Sequence, residues 1–204
     1  MITIVDYGMG NLGSVKNMFK RIGCQTEITS DTNVIAKAQK ILLPGVGAFG
    51  NAMSLIDEKG LREVLNQKAL IEKVPTLGIC LGMQLLTRSS EESPNAKGLG
   101  WIAADTRRFV FPTASNLKIP HMGWNEVQFP KTSHFTEGNI ETPRYYFVHS
   151  YHVVLDNPSD AIMIAHYGYD FVAGVQHDNI YGAQFHPEKS HKFGMKLFEN
   201  FAKL

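Results

Sequence analysis

The 204-residue sequence predicts an α/β fold: a central, mostly parallel sheet with helices on both faces and a more antiparallel C-terminal half. In the first half, short apolar runs alternate with segments of helical periodicity, a pattern typical of βαβ units around a buried parallel sheet. From Trp101 onward, short strand-like runs are separated by prolines at positions 112, 120, 130, 143 and 158. No repeat, low-complexity segment or linker divides the sequence, so we expect one domain over residues 1–204.

The first predicted elements follow in the order strand, helix, strand. An apolar run at 2–5 predicts the first strand. The helix after it is predicted by apolar residues at helical spacing, namely Leu12, Val15, Phe19 and Ile22. Gly23 is expected to end that helix, because glycine readily adopts the left-handed conformation found there. A second strand is then expected over 24–29.

The remaining elements are predicted by similar signals. An apolar run at 40–43 predicts the third strand, and a helix is expected over 61–70. The apolar run at 74–77 predicts the next strand. Near the C-terminus, we expect a strand over 180–185 and a final helix over about 192–202.

The composition favours a cytosolic globular protein. Hydrophobic residues make up 44% of the chain and the formal net charge is +1, which argues against nucleic acid or a membrane surface as the main partner. The two cysteines, Cys24 and Cys80, point to a reducing compartment. The first six residues carry no basic leader, and no apolar run approaches the ~20 residues that span a bilayer. We therefore expect a cytoplasmic protein.

The strongest functional signal is the sequence Gly-Ile-Cys-Leu-Gly at 78–82. Gly78 and Gly82 flank Cys80 symmetrically, as the sharp strand-to-helix turn of a nucleophile elbow requires, because a Cβ at either position would crowd the strained central residue. The turn exposes the sulfur at a helix N-terminus, where the helix dipole favours a thiolate. The paired glycines favour a reactive Cys80 over the alternative, a buried core cysteine.

A base for Cys80 is found at the end of the predicted strand over 180–185. A free thiol with a pKa of about 8.5 is mostly protonated at neutral pH, so the nucleophile needs a base, and the base needs an orienting partner. His186 is expected to accept the thiol proton, and Glu188 to fix the imidazole tautomer, with Pro187 stiffening the link between them. The sequence therefore predicts a catalytic triad of Cys80, His186 and Glu188.

A competing interpretation comes from the glycine pattern G-x-G-x-x-G, which occurs at 8–13 and at 45–50. The first copy follows a predicted strand and opens a helix, and Asp31 lies near the end of the second strand, as in dinucleotide-binding proteins. In the second copy, the acid at the expected distance, Glu63, lies on a helix. Two copies in one chain show how unspecific the pattern is. An NAD-binding protein is the distant alternative.

The motifs together resemble a known family. Residues 78–84, with Gln84 at their end, and the sequence Gln-Phe-His-Pro-Glu at 184–188 resemble class I, or triad, glutamine amidotransferases, which release ammonia from glutamine through a cysteinyl thioester. Four further stretches, at 6–12, 43–49, 120–125 and 146–151, resemble the family of glutaminase subunits of imidazole glycerol phosphate synthase, an enzyme of histidine biosynthesis. The resemblance implies a class I glutamine amidotransferase-like sandwich.

The resemblance also implies roles for residues around the nucleophile. The tetrahedral oxyanion needs two backbone N–H donors, and these are expected at Leu81 and at Val46. Gly45 and Gly47 flank Val46 and would allow that peptide to rotate, which in this family is thought to keep the glutaminase nearly silent until the synthase substrate binds.

Substrate-binding residues are expected at Gln84, His149, Ser150 and Tyr151, in addition to Gly45 and Gly47. The alternative interpretation of His149, Ser150 and Tyr151 is that they are polar residues at a strand end without a role in binding. His149 and His152 could also be metal ligands, but no further cluster supports this, so we expect neither a metal nor a cofactor.

The chain has no evident site that would use ammonia, so a partner is expected. The resemblance implies a heterodimer with a (β/α)8-barrel cyclase that makes imidazole glycerol phosphate and AICAR. Trp124, Asn125 and Lys189 are candidates for the interface and the ammonia exit, against the alternatives of a core Trp and a solvated Lys.

The alternative function is that of a paralogous glutaminase for sugar amidation in surface polysaccharide pathways, which the segment 191–195 slightly favours. A domain of the same fold with inactive chemistry is disfavoured by the intact triad.

Overall fold

The computed structural model describes residues 1–138 and 142–204. In these ranges the strands, numbered in chain order, are β1 Ile2–Val5, β2 Thr26–Thr29, β3 Ile41–Leu43, β4 Thr76–Ile79, β5 Ser89–Ser90, β6 Ala104–Arg108, β7 His121–Glu126, β8 Arg144–His149, β9 Tyr151–Leu155, β10 Ala161–Tyr167, β11 Tyr169–His177 and β12 Ile180–Ala183.

The α-helices of the same ranges are α1 Leu12–Arg21, α2 Thr32–Ile35, α3 Phe49–Glu58, α4 Leu61–Asn66, α5 Leu81–Leu85 and α6 His191–Lys203. A π-helical turn, Gln67–Ile71, follows α4 directly. The described part of the chain contains no helix both long and apolar enough to cross a bilayer.

The main sheet has the order β2-β1-β3-β4-β12-β11-β9-β6-β5, and β10 pairs with β11. From β2 to β12 every neighbouring pair is parallel. Beyond β12 the pairs of β11 with β12, β10 and β9 and of β9 with β6 are antiparallel, whereas the short edge strand β5 pairs with β6 in parallel. The structure therefore confirms the predicted fold class, including the change from parallel to antiparallel pairing.

The hairpin formed by β7 and β8 lies outside the main sheet. Within residues 1–138 and 142–204, these two strands pair only with each other, from His121 opposite His149 to Glu126 opposite Arg144. Beside β10, the Asn125 amide donates to the His166 carbonyl at 2.8 Å, and Gln128, two residues after β7, forms a bridge with Ile164. The hairpin is thus a separate two-stranded layer.

Successive side chains of a strand point to opposite faces of the sheet, and each face is covered by an apolar layer. Ile2 and Ile4 of β1 join a layer that includes α1 and α6, whereas Val5 joins a layer that includes α3, α4 and α5. This follows from the two-residue period of side chains in a strand. Both faces are covered by helices, as the sequence predicts.

Several boundaries differ slightly from the predicted ones. Gly23 ends α1 as expected, with φ +74°, but the Cys24 N–H still bonds back to the Phe19 carbonyl at 2.9 Å. Strand β2 therefore starts at Thr26 rather than at 24. The helix expected over 61–70 becomes α4 plus the π-helical turn. The final helix is one residue longer at each end than predicted.

Candidate active site

Cys80 occupies the sharp turn between β4 and α5, with φ +53° and ψ −108°. Its N–H donates to the Ala183 carbonyl of β12 at 2.7 Å. A non-glycine residue with positive φ is uncommon and marks a strained position. The turn predicted from the glycine spacing is present. Helix α5 has only five residues, so its dipole is small.

The two flanking glycines are required by close backbone contacts. A Cβ on Gly78 would lie 2.5 Å from the Gly82 carbonyl oxygen, and a Cβ on Gly82 would lie 2.0 Å from the Leu43 carbonyl oxygen. Any side chain at these positions would force the strand end and the helix apart. The glycines therefore allow the elbow to sit directly against β3.

His186 and Glu188 come next to the elbow because β12 lies parallel beside β4, with Ala183 opposite Ile79. The chain thus leaves both strands at the same edge of the sheet. His186 Nδ1 and Glu188 Oε1 are 2.8 Å apart, and the two side chains are only 1% and 2% exposed. Within the described residues, His186 Nε2 has no hydrogen-bond partner of normal geometry.

The surroundings of His186 favour its protonated form. Burial alone would lower the pKa of the imidazole, but its interactions with the Cys80 sulfur and with the Glu188 carboxylate outweigh burial and raise the pKa to about 10. Because the Nδ1 atom of His186 is hydrogen-bonded to Glu188, its Nε2 atom is the one that interacts with the Cys80 sulfur. The arrangement favours a thiolate–imidazolium pair.

A cavity of about 350 Å³ lies over the elbow. It is lined by nine of the residues predicted from the sequence: Val46, Gly47, Cys80, Leu81, Gln84, His149, Ser150, Tyr151 and His186. Three further residues line it: Pro120 and Val148, which belong to the stretches at 120–125 and 146–151 but had no predicted role, and Glu92, which sequence reasoning did not single out. Glu92 Oε2 accepts from the Phe49 N–H at 2.7 Å, which fixes this carboxylate at the edge of the cavity.

The loop after β3 packs against the elbow from the other side. A Cβ on Gly45 would lie 2.7 Å from the Leu81 Cβ, so this position has no room for a side chain. The Tyr7 hydroxyl donates to the Pro44 carbonyl and fixes the start of the loop. Val46 follows at the cavity wall, with 42% of its surface exposed.

Two buried glutamines connect the cavity wall to Cys80. Gln84 Nε2 donates to the Tyr151 carbonyl at 3.1 Å and to Gln184 Oε1 at 3.2 Å. Gln184 Nε2 in turn lies 3.8 Å from Cys80 Sγ. Gln184 belongs to the motif at 184–188, but no role was predicted for it. Its place at the end of a buried strand, two residues before His186, is the signal that could have identified it.

A second unpredicted feature is a buried pair of histidines behind Tyr151. His149 Nδ1 donates to the Tyr151 carbonyl at 2.8 Å, and His149 Nε2 accepts from His121 Nδ1 at 3.0 Å. His121 Nε2 accepts from the Asn125 amide at 3.3 Å. Because the Tyr151 carbonyl can only accept, it fixes the tautomers of both His149 and His121 in this series of hydrogen bonds.

Both histidines of the pair are neutral at physiological pH. Burial lowers the pKa of His149 to about 3 and that of His121 to about 4. His152 is not part of the pair, because its Nε2 bonds to the Tyr169 hydroxyl at 3.1 Å. Among residues 1–138 and 142–204, no group of three or more His, Cys, Asp or Glu side chains is arranged to hold a metal ion.

The predicted interface residues lie on the outer hairpin and beside it. Trp124 is 46% exposed and stacks on the His191 ring at 5.5 Å. Lys189 Nζ lies 5.6 Å from the centre of the Tyr146 ring. Asn125 is on the opposite face of β7 from Trp124, where its amide also donates to the His166 carbonyl at 2.8 Å. The structure therefore separates Asn125 from the exposed group.

Asp31, the acid in the dinucleotide-binding interpretation, has a structural partner. Its carboxylate accepts from the Asn33 N–H at 2.8 Å and caps α2. This is the ordinary role of an aspartate at a helix N-terminus.

Comparisons by sequence find relatives over the whole chain. The family model described as glutamine amidotransferase class-I matches residues 3–204. The imidazole glycerol phosphate synthase subunit HisH 2 of Methanococcus maripaludis is 53% identical over 203 residues, which cover 100% of this chain and 99% of that protein. The imidazole glycerol phosphate synthase subunit HisH of Sulfurimonas denitrificans is 50% identical over 208 residues, which cover 100% and 98%.

Solved structures share the fold at lower identity. PurLQS from Thermotoga maritima has a TM-score of 0.77 at 19% identity, covering 99% of this chain and 97% of that chain. A putative GMP synthase protein from Thermoplasma acidophilum has a TM-score of 0.74 at 20% identity, covering 99% and 92%. At these identities the likeness concerns the fold, and it agrees with the predicted α/β sandwich.

Proposed function

The chain belongs to the class-I glutamine amidotransferase family, and on this basis we propose that it is the glutaminase subunit of an imidazole glycerol phosphate synthase, the enzyme named in its relatives. It hydrolyses L-glutamine to glutamate and ammonia for histidine biosynthesis. The observation that carries the proposal is the buried His186–Glu188 pair, whose second imidazole nitrogen is left for Cys80.

In the first half of the reaction, the Cys80 thiolate attacks the carboxamide carbon of glutamine. The carbonyl oxygen becomes an oxyanion, for which we propose the N–H groups of Leu81 and Val46 as donors. Collapse of this intermediate breaks the C–N bond, and protonated His186 gives its Nε2 proton to the leaving nitrogen. Ammonia departs and a glutamyl thioester remains on Cys80.

In the second half, water attacks the thioester carbon while His186 Nε2 takes its proton. The C–S bond then breaks, which restores the thiolate–imidazolium pair, and the new carboxyl group gives its proton to water as glutamate leaves. Glu188 holds Nδ1 throughout and stabilises the imidazolium without becoming protonated.

The cavity wall offers groups for the charged end of glutamine. Both N–H bonds of the Gln84 amide are used within the protein, so its carbonyl oxygen is the atom we assign to the substrate ammonium. Ser150, Tyr151 and His149 line the same wall. Gly45 and Gly47 let the main chain of the loop after β3 approach the substrate.

The chain acts as one component of a complex, and we propose a (β/α)8-barrel cyclase as its partner in the cytoplasm. Ammonia is mostly protonated in neutral water and would be lost unless another active site received it. The exposed surface of Trp124, Tyr146, Lys189 and His191 lies beside the His186–Glu188 turn and is the proposed docking face. None of the relatives reported above is named for sugar amidation, so nothing favours that alternative.

The proposal is tested by Cys80→Ser in the complex with the cyclase. We expect glutamine hydrolysis to fall by about a thousandfold or more, while cyclase activity with added ammonium salts remains, because only the nucleophile is altered. A glutamine-like electrophile should label Cys80 and leave Cys24 unmodified. Labelling at Cys24, or glutaminase activity that survives Cys80→Ser, would refute the assignment.

A further inference from the structure

Gln184 makes a contact with the nucleophile that the mechanism above does not use. Its side chain is fully buried, and its Nε2 lies 3.8 Å from Cys80 Sγ. This separation is within the range of an N–H···S hydrogen bond, since sulfur is larger than oxygen. Gln184 does not line the cavity over the elbow, so it reaches the sulfur from inside the protein.

The direction of this hydrogen bond is fixed by the rest of the network. The Tyr151 carbonyl can only accept, so the Gln84 amide must turn its NH2 group toward it. The same NH2 group also donates to Gln184 Oε1. With its oxygen occupied, Gln184 must direct its own NH2 group at Cys80. The orientation of each amide therefore follows from the Tyr151 carbonyl, which can accept a hydrogen bond but cannot donate one.

An N–H donor at this place favours one form of the sulfur. A thiol is a weak acceptor, whereas hydrogen bonds to ionised acceptors are roughly twice as strong as neutral ones. The donor thus stabilises the thiolate more than the thiol. It also holds the sulfur from the side away from the cavity, which leaves the cavity side open for attack.

We propose that Gln184 is a positioning residue of the glutaminase site: its amide, oriented by Gln84 and the Tyr151 carbonyl, stabilises the Cys80 thiolate and fixes its direction. The proposal rests on the proposed function for the use of the thiolate, but the hydrogen bond can be tested without glutamine.

The test is the pH dependence of Cys80 alkylation by iodoacetamide in the full chain, followed by mass spectrometry of the Cys80 peptide. Gln184→Met keeps the length of the side chain and removes the donor. We expect the midpoint for Cys80 to rise by about one pH unit, so that alkylation below the midpoint slows about tenfold. Gln184→Asn keeps an amide but is too short to reach the sulfur, and it should give a similar shift.

Two controls accompany these variants. The Cys24 peptide of each sample should react at the wild-type rate. Gln176→Met makes the same exchange at a half-buried glutamine of β11 whose amide bonds to Ser133 and Asp178, and it should leave the Cys80 midpoint unchanged.

In the complex, Gln184→Met should lower kcat for glutamine and leave KM within about twofold, since the side chain lies behind the nucleophile. A wild-type midpoint in either folded variant would overturn the proposal, as would a raised KM with an unshifted midpoint. If the midpoint shifts but wild-type protein in complex hydrolyses no glutamine, the hydrogen bond stands and the proposed function fails.

Discussion

His186 and Glu188 form a histidine–carboxylate pair that is almost fully buried, whereas His177 and Asp160 form a comparable pair, 3.2 Å apart, at the surface. In the complex, His186→Ala should lower kcat for glutamine by about a thousandfold or more, because it removes the proton acceptor and donor. Glu188→Ala should retain more activity, because an orienting group matters less than the proton carrier.

His177→Ala serves as the matched control for these two variants and should have wild-type kcat. Steady-state glutamate release by the three purified complexes measures the comparison. Near-normal turnover of His186→Ala would mean that the base lies elsewhere.

At the scale of residues, the sequence predicted the features whose residues lie close together along the chain. Gly78, Cys80 and Gly82 lie within five positions, and His186 and Glu188 are two apart, so local geometry alone brings these groups together. The Gln184–Cys80 contact could not be predicted in this way. It depends on the register between β4 and β12, two strands about a hundred residues apart in sequence.

At the scale of elements, the close contact between Gly82 and β3 leads to a test of stability. Gly82→Ala should lower the free energy of unfolding by roughly 3 kcal/mol or more, because the new Cβ would lie 2.0 Å from the Leu43 carbonyl oxygen. Urea unfolding followed by circular dichroism measures the change. A loss below about 1 kcal/mol would show that the elbow can move away from β3.

Gly13 provides the control, because it lies exposed in α1 and a Cβ there would meet nothing within 4 Å. Gly13→Ala should raise stability by up to about 1 kcal/mol, since alanine is the better helix former. The same substitution of glycine by alanine is therefore expected to lower stability at position 82 and to raise it at position 13.

The histidine pair of the β7–β8 hairpin leads to a prediction about acid. His121 and His149 have pKa values lowered to about 4 and about 3 in the folded protein, against about 6.5 in an unfolded chain. Below pH 6.5 the unfolded state therefore binds more protons than the folded state, and stability falls as pH drops toward 4. Each histidine contributes a slope of up to about 1.4 kcal/mol per pH unit.

We expect His121→Gln to be less stable than the wild type at pH 7 but to lose less stability between pH 6.5 and 4.5. The unfolding free energies of both proteins, measured by urea titration at several pH values, should thus converge. Parallel curves would contradict the assignment of lowered pKa values to this pair.

The elements themselves were predicted well where patterns are local, and the hairpin was not. Helix α1 is specified by its apolar spacing and by Gly23. Strands β7 and β8 pair with each other rather than with a strand of the main sheet, although Gln128 just after β7 forms a bridge with Ile164 of β10. Proline positions indicate where strands stop, but they do not tell which sheet a strand joins.

At the scale of the whole molecule, the isolated chain should be a poor glutaminase. The loop at 44–47 packs against the elbow and holds the proposed Val46 donor, and its glycines allow more than one peptide orientation. A partner on the face of Trp124 and Lys189 that favours the competent orientation would raise kcat by about tenfold or more, which requires differential binding to the two loop states.

This prediction is checked by glutamate release from the free chain, from the complex, and from the complex with an analogue of the acceptor substrate. Equal kcat values in the three samples would mean that the site is permanently assembled. The sequence led to the expectation of a partner, but the separation of Asn125 from Trp124 required the strand pairing, because adjacent residues of a strand face opposite sides.

The separate pairing of β7 and β8 has a further consequence for local unfolding. The hairpin contributes His149 to the cavity and Trp124 to the outer surface, yet in the described part of the chain none of its ladder hydrogen bonds belongs to the ten-stranded sheet. The hairpin is held instead by packing of the fully buried Tyr145 and Phe147 and by the Tyr146 carbonyl, which accepts from the His186 N–H at 2.9 Å. We therefore expect it to open as one unit without unpairing the sheet behind it. A ligand that closes the cavity and a protein that covers the outer surface would each suppress the same opening. The two binding events would then be coupled through hairpin opening, even if neither changed the average structure of the other site.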